Sequence, residues 1–359
     1  MDKLKDAFRN VTTRFQPQQQ SIDVNHKISE FDAQSGRLER RLAWPPRLTI
    51  QPRILDEVKD VSGRRYPRDI GRSVHLGGHT FYMFGDTFCF NDSDNFVGVT
   101  NNAIALIPNL TVPTKSQWFT AEARVPEFVP LSAEEKKFCK DHEARGENKR
   151  FVNWAFGGII ERPGSDRKEG WLFYDTVEIH GATPVRQCGI GVAKATVTNA
   201  DTGELKCERA GKFPLFDPDG PAWGNMSNIA AEDGWTYLLT GRELDNYIAR
   251  IRTDADFSDP SNYTFLSKDK GWISSYRAPY GPFGELKHDV LHGQGQGAII
   301  FVPEHMPKIG GEESDGKRYT IYPHLWGSNL RKGEVLLSWS DDATMGGKVV
   351  AGLFTFAFY

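Results

Sequence analysis

A glycine turn between two apolar segments is the feature that most constrains how this chain can fold. Residues 66–88 read YPRDIGRSVHLGGHTFYMFGDTF, with Gly77 and Gly78 at the centre. Apolar and polar residues alternate before the two glycines, and an apolar aromatic run, residues 81–84, follows them. Glycine readily adopts the positive φ angles that a two-residue hairpin turn requires. The segment therefore predicts a β-hairpin whose returning strand is buried.

Two aspartates lie at the ends of this predicted hairpin. Asp69 comes just before the first strand and Asp86 just after the second. A hairpin folded at the glycines brings both residues to the same end of the strand pair, which predicts a candidate site with two carboxylates. The simpler interpretation is that an aspartate after glycine at a strand end accepts hydrogen bonds from turn N–H groups, or pairs with Arg68 or Arg72.

The hairpin pattern recurs three more times along the chain. The further copies begin near Gly157, Gly224 and Gly295, and their aromatic returning strands are residues 170–175, 234–239 and 319–322. Third strands are predicted at residues 103–107, 189–193, 247–251 and 335–339. Each copy occupies about 65–90 residues, more than the roughly 40–50 residues of a typical propeller blade, so long loops are expected.

This repetition predicts an all-β fold of the β-propeller class. The first strands begin with glycine or small polar residues, as expected where innermost strands crowd around a common axis. The C-terminal residues 349–359 alternate in hydrophobicity and are rich in aromatic side chains. They predict a strand that closes a blade together with N-terminal residues.

The chain divides into a predicted arm and a predicted single domain. Residues 1–43 form the arm, which begins with a short amphipathic helical pattern, and residues 44–359 form the propeller. Between two blades, Ser132 and Glu135 have the spacing of a capping box and predict the start of a helix. The helix would be a connection outside the sheets.

Composition and charge exclude several classes of function. The chain of 359 residues is 39% hydrophobic and 12% aromatic, with a net charge of −3, which does not favour nucleic-acid binding. Its segments include no run of about 18 apolar residues of the kind that spans a membrane. No signal sequence is recognisable at residue 1, so the expected location is the cytoplasm, or outside the cell if a signal has been removed.

The sequence predicts neither a metal site nor a cofactor. The four cysteines and nine histidines show no zinc-ligand spacing, although His288 and His292 are four residues apart. The glycine-rich residues 293–297 lack the context of a phosphate-binding loop. The expected partner is a small-molecule substrate.

The first hairpin resembles a known family. Residues 68–73 (RDIGRS) followed by residues 84–88 (FGDTF) are similar to the first blade of the DUF4185-type propellers, and the resemblance extends more weakly over residues 50–359. It implies a five-bladed propeller. Some members are glycoside hydrolases that act on arabinan-like glycans, and on this resemblance Asp69 and Asp86 match the acidic pair. Other fungal propellers of similar plan are hetero-Diels–Alderases of secondary metabolism.

Two enzymatic hypotheses and one binding hypothesis follow. The absence of a recognisable signal favours, narrowly, a cofactor-free cycloaddition or cyclisation, in which Arg72 or Gln296 donates to an enone oxygen and the pocket orients the reactants. The alternative is a glycoside hydrolase with Asp69 and Asp86 as acid and base. A carbohydrate-binding propeller without activity is the third.

The candidate site combines three catalytic residues with a set of substrate-binding residues. The catalytic candidates are Asp69, Asp86 and Arg72. The substrate-binding candidates are aromatic or amide side chains near the starts of the inner strands, namely Trp154, Trp223, Asn225, Gln294 and Gln296. Such groups suit an uncharged, partly apolar ligand, although each tryptophan would equally fit a core position.

Overall fold

The computed structural model of the protein describes residues 48–225, 227–231, 233–242, 245–267, 270–275, 318–341 and 347–357. The predicted arm, residues 1–43, lies outside these ranges, as do the first strand of the fourth predicted copy and the His288/His292 pair. The described residues form an all-β structure with four large antiparallel sheets in a propeller arrangement. The family resemblance implied five blades, and four are present in these ranges.

Three of the four sheets are each built from neighbouring segments of chain, and we refer to all four sheets as blades. Blade 1 contains β3 (Arg68–Leu76), β4 (His79–Phe90), β5 (Phe96–Thr100) and β6 (Ala103–Leu106). Blade 2 contains β8 (Lys149–Trp154), β9 (Ile159–Glu161), β10 (Glu169–His180), β11 (Thr183–Asn199) and β12 (Glu204–Ala210). Blade 3 contains β13 (Ser227–Ala230), β14 (Trp235–Arg242), β15 (Asp245–Arg252), β16 (Tyr263–Ser267) and β17 (Gly271–Ile273).

The last sheet, the closing blade, joins both ends of the described chain. It contains β18 (Arg318–Asn329), β19 (Glu334–Asp341) and β20 (Lys348–Thr355), followed in space by β1 (Arg53–Glu57). Strand β1 is antiparallel to β20, with Arg53 opposite Leu353. The predicted closure of a blade by the C-terminal strand and N-terminal residues is confirmed. A short parallel pair, β2 (Lys59–Asp60) and β7 (Lys115–Ser116), lies beside blade 1.

The first hairpin folds as its glycines predict. Gly77 and Gly78 have φ angles of 61° and 81° and connect β3 to β4. The register of the two strands shifts on both sides of Ile70, whose own φ is 73°. A β-branched residue is strained at positive φ. The N–H group of Ile70 is held by the Ser340 hydroxyl of the closing blade at 2.8 Å.

Small residues allow the inner strands to approach one another, as the repeat pattern predicted. A Cβ added to Gly157 would lie 2.0 Å from the carbonyl oxygen of Gly224 in the next repeat, and one added to Gly71 would lie 2.2 Å from a methyl carbon of Val349. Side chains larger than hydrogen would therefore force neighbouring blades apart at these two places.

The hydrophobic core lies between adjacent blades. One buried cluster joins blade 1 to the closing blade through residues such as Tyr82 and Leu336, and a second joins blades 2 and 3 through Phe173 and Trp223. The connection between blades 1 and 2 contains the predicted helix, α1 (Ala133–Ala144). Its predicted capping box is present, since Ser132 and Glu135 bond reciprocally at 2.8 and 3.1 Å, and α1 packs against β8. No helix in the described ranges is both long enough and apolar enough to span a membrane.

Candidate active site

The hairpin brings Asp69 and Asp86 to one end of blade 1 but gives them different surroundings. Asp69 packs on the backbone beside Asp86, since a Cβ added to Gly85 would lie 2.3 Å from Asp69 Oδ1. The negative charge of Asp69 acts on the phenol of Tyr322. Asp86 instead contacts residues of the β5–β6 connection and of blade 2.

Asp86 is mostly buried and accepts two side-chain hydrogen bonds. Asn101 Nδ2 donates to Asp86 Oδ1 at 2.9 Å, and Trp154 Nε1 donates to the same oxygen at 3.3 Å. Burial raises the pKa of the carboxyl group, while the two donors oppose that shift. Two predicted site residues, Asp86 and Trp154, are therefore in direct contact across the boundary of blades 1 and 2.

The second acid beside Asp86 is Glu127. The Asn101 backbone N–H donates to Glu127 Oε1 at 3.4 Å, and Asn102 Nδ2 donates to Oε2 at 2.8 Å. Burial, together with a smaller contribution from the charge of Asp86, raises the pKa of Glu127 to about 7 against the opposing hydrogen bonds and the charge of Arg124. Asn101 thus bonds to both carboxylates.

Buried amide groups hold the loop that carries Glu127. The Val129 N–H donates to Asn102 Oδ1 at 2.5 Å, and Asn102 Nδ2 also donates to the carbonyl oxygen of Asn153 at 2.9 Å. The Thr100 hydroxyl donates to the Val125 carbonyl oxygen at 2.6 Å. Because Asn102 is only 2% exposed, these bonds are shielded from water and fix Glu127 against the end of blade 1.

Arg72, on the first strand of the hairpin, lies beside Tyr322 and Gly158. Its guanidinium carbon is 5.3 Å from the ring centre of Tyr322, and a Cβ added to Gly158 would lie 2.6 Å from its Nε. Burial lowers the pKa of Arg72, and burial raises the pKa of Tyr322 to about 12. Arg72 and Asp69 thus both neighbour Tyr322, whereas the hydrogen bonds of Asp86 extend to Asn101 and Trp154.

The other predicted substrate-binding residues fall in three different places. Trp154 is partly exposed and stacks on Phe156 with ring centres 6.0 Å apart. Trp223 is fully buried, packing against Phe265 at 5.3 Å, so its indole is a core group with no exposed face. Asn225 is 6% exposed, and its Oδ1 is buried without a hydrogen-bond partner in the described structure. Gln294 and Gln296 lie outside the described residues.

A third buried acid, Asp175, lies on the neighbouring strand of blade 2. It is 3% exposed and directly opposite Trp154 in the register of β10 and β8. Gln187 Nε2 donates to Asp175 Oδ2 at 2.6 Å. Burial raises the pKa of Asp175 to about 7, against the effect of this one hydrogen bond.

Sequence reasoning missed Glu127, its two asparagines, and Asp175. Glu127 stands in a loop without a motif, and only its position between Pro126 and Phe128 could have suggested burial. Asp175 had a clearer signal, because Asp175-Thr176 repeats Asp86-Thr87 at the same point of the returning strand.

These groups give the site the elements of acid–base catalysis. Two adjacent acids with raised pKa values can divide the roles of proton donor and ionised partner at neutral pH. A partly exposed indole and several amide groups surround them. No three His, Cys, Asp or Glu side chains within the described ranges are grouped so that they could hold a metal ion.

No protein-family model and no curated protein matches this chain. Among solved structures, the fold is similar to that of a Bacteroides ovatus protein described as a "putative hydrolase", with a TM-score of 0.49 and 16% sequence identity over 85% of this chain and 87% of that one.

Proposed function

We propose that this protein is a β-propeller glycoside hydrolase in which Asp86 and Glu127 form the catalytic acid pair. The observation that carries the proposal is that Asn101 donates a hydrogen bond to each of these partly buried carboxyl groups, and that the pKa of each is raised. Glycoside hydrolysis requires one protonated and one ionised carboxyl group beside the glycosidic bond. The pair supplies both states near neutral pH.

Glu127 is the general acid. With a pKa of about 7, the side chain is protonated in a large fraction of the protein molecules at neutral pH. It can donate that proton to the leaving-group oxygen as the glycosidic C–O bond breaks. The proton returns from the water molecule that completes hydrolysis.

Asp86 is the ionised partner. Both hydrogen bonds that it accepts from the described residues end on Oδ1, and N–H donors favour the charged form. The second oxygen then serves either as nucleophile or as the base that activates water. Trp154, bonded to Asp86, offers a partly exposed indole on which the apolar face of a sugar ring can stack.

This pair differs from the one that the family resemblance implies. The resemblance matches Asp69 and Asp86, whereas the hydrogen bonds and charge interactions of Asp86 favour Glu127 as its partner. Arabinan-like glycans, the substrates implied by the same resemblance, are the substrate class that we propose to test first. The cycloaddition hypothesis, with Arg72 as donor, needs no ionisable pair. It therefore predicts that Asp86→Asn leaves the activity unchanged.

The test compares three conservative variants on arabinan and on aryl arabinosides. Glu127→Gln and Asp86→Asn should each lower kcat on arabinan by about 10³-fold or more, as expected when an acid or its partner is lost. Glu127→Gln should retain much more activity on an aryl glycoside whose leaving group needs no protonation. Asp69→Asn is the matched control and should lower kcat by less than about tenfold.

Three results would contradict the proposal. Loss of activity in Asp69→Asn but not in Glu127→Gln would restore the pair implied by the resemblance. Formation of a coupled adduct from a quinone methide and a terpene, unchanged in Asp86→Asn and lost in Arg72→Ala, would support the cycloaddition. Saturable sugar binding without any hydrolysis would indicate a binding protein.

A further inference from the structure

We propose that Asp175, Gln187 and Trp154 form a sugar-binding subsite in which the Gln187 amide occupies the position of a substrate hydroxyl group. The inference deepens the proposed function and rests on it, since it assigns a group of the same carbohydrate substrate to residues beyond the acid pair.

Blades 1 and 2 present the same dipeptide at the same place. Asp86-Thr87 lies near the end of β4, and Asp175-Thr176 lies in β10, each in the strand that returns from the first turn of its blade. Asp86 belongs to the proposed acid pair, while Asp175 has no role in the proposed hydrolysis. The repeat brings a second carboxylate to the same end of the propeller.

Trp154 lies between the two carboxylates. Its Nε1 donates to Asp86 Oδ1 at 3.3 Å, and its backbone is directly opposite Asp175 in the sheet. Directly opposite residues of an antiparallel pair have their side chains on the same face, a few ångströms apart. An indole flanked by two carboxylates can stack on the apolar face of a sugar while the carboxylates accept hydrogen bonds from its hydroxyl groups.

Asp175 has an acceptor that the surrounding protein does not use. Oδ2 accepts the hydrogen bond from Gln187, whereas Oδ1 is buried and accepts none within the described structure. A buried polar atom without a partner is costly and uncommon. A ligand hydroxyl group would satisfy it.

Gln187 controls the access of a ligand to Asp175. Its side chain is exposed, although its amide group bonds to a carboxylate that is 97% buried. An exposed glutamine can rotate away at little cost, and a pair of neighbouring sugar hydroxyl groups can then donate to both oxygens of Asp175. In this arrangement Gln187 competes with the ligand.

The competition predicts effects of opposite sign for the two variants. Binding of arabino-, xylo- and gluco-oligosaccharides is followed by tryptophan fluorescence in a Glu127→Gln background, which prevents turnover. Adding Asp175→Asn should weaken binding of the preferred sugar by about 10-fold or more, because a charged acceptor is lost. Adding Gln187→Ala should strengthen it by about 2- to 5-fold, because a competing hydrogen bond is removed.

A matched control is Glu178→Gln on the same strand. Glu178 bonds to His180 and Arg186 rather than to Asp175, so this change should leave the dissociation constant within about twofold. Thermal unfolding of each variant separates loss of binding from loss of folding. If Asp175→Asn does not fold, the change of sugar affinity in Gln187→Ala, at an exposed position, tests the subsite by itself.

The outcomes separate this inference from the proposed function. Binding that is equal in all variants, weaker binding in Gln187→Ala, or binding of no tested sugar would overturn the subsite. Asp175-dependent binding to a wild-type protein that hydrolyses no glycoside would keep the subsite and reject the hydrolase. Hydrolysis with unchanged KM in Asp175→Asn would keep the hydrolase and reject the subsite.

Discussion

Two hydrogen-bonded groups of residues, each built around side chains with shifted pKa values, lie near the first hairpin, and they differ in whether their hydrogen bonds are complete. The first is the acid pocket, which contains Asp86, Glu127, Trp154 and Asp175. The second is a hydrogen-bonded network between blade 1 and the closing blade, which contains Ser73, His324, Trp326 and Ser338. Both shift pKa values strongly, but only the acid pocket retains groups that can react.

The network can be followed donor by donor. Trp326 Nε1 donates to Ser73 Oγ at 3.1 Å, and Ser338 Oγ donates to the carbonyl oxygen of Gly71 at 2.9 Å. His324 Nε2 must therefore donate to Ser338 at 2.8 Å, and Nδ1 must accept from Ser73 at 2.6 Å. Each polar atom of the fully buried imidazole is used.

The contrast indicates that a shifted pKa is a sign of function only where the group can still form hydrogen bonds with a ligand. Burial lowers the pKa of His324 to about 3, so the ring is neutral at ordinary pH and joins two blades. Burial also raises the pKa values of Asp175 and Glu127 to about 7, but both lie beside the partly exposed Trp154 or its partner Asp86. We therefore assign a stabilising role to the network and a catalytic role to the acid pocket.

The largest expected effect is a contrast between two substitutions: one in the acid pocket lowers activity, and one in the network lowers stability. Asp86→Asn should lower kcat by about 10³-fold or more while leaving the unfolding temperature near that of the wild type, because it removes an ionised group that burial disfavours. Kinetics on arabinan and a thermal melt would be recorded for the same preparation. A folded and fully active Asp86→Asn protein would break the comparison.

Ser338→Ala is expected to show the converse result. Removing the hydroxyl leaves His324 Nε2 and the Gly71 carbonyl oxygen buried without partners, which costs about 1–3 kcal/mol of the free energy of unfolding. The kcat of the folded protein should remain within a fewfold of wild type. Denaturant unfolding measures the loss, and a stability equal to that of wild type would show that the network contributes little.

The network should also make stability depend on pH. The pKa of His324 is about 3 in the folded protein and 6.5 in the reference state, so the stability that it contributes is present above pH 6.5 and is lost as pH falls toward 3. His324→Gln, neutral throughout, should lose less stability between pH 6.5 and 5 than the wild type does. Parallel slopes for the two proteins over that interval would refute this role.

Glu127 should have a smaller effect of opposite sign. Its pKa is raised from 4.5 to about 7, so its contribution is fully present below pH 4.5 and is lost as pH rises through 7. Glu127→Gln should therefore be more stable than the wild type at pH 8 and nearly equal to it at pH 4.5. Unfolding in urea at the two pH values tests this, with Glu178→Gln as a control carboxyl substitution.

Local sequence was sufficient to predict the hairpin, the blade closure and the helix cap. The turn depends on Gly77 and Gly78, the cap on Ser132 and Glu135, and the closing strand on alternation within residues 349–359. Each is a feature of contiguous residues. The antiparallel repeats and their close packing at Gly157 follow from the same short patterns.

The acid pocket could be predicted only in part, because its contacts join distant parts of the chain. Asp86 is predicted from its place at the end of the first hairpin and Trp154 from its place near the start of an inner strand, but Glu127 reaches Asp86 through loop contacts made by Asn102 that no spacing reveals. Trp223 occupies a similar sequence context to Trp154, yet packing between blades 2 and 3 makes it a core residue.

The most direct test of the account is the pH dependence of hydrolysis by wild type, Glu127→Gln and Asp69→Asn, measured on arabinan, whose leaving group must be protonated. We predict that kcat of the wild type and of Asp69→Asn falls as pH rises through about 7, as Glu127 loses its proton, and that Glu127→Gln shows no such fall. A fall that persists in Glu127→Gln, or that disappears in Asp69→Asn, would contradict the assignment of Glu127 as the acid.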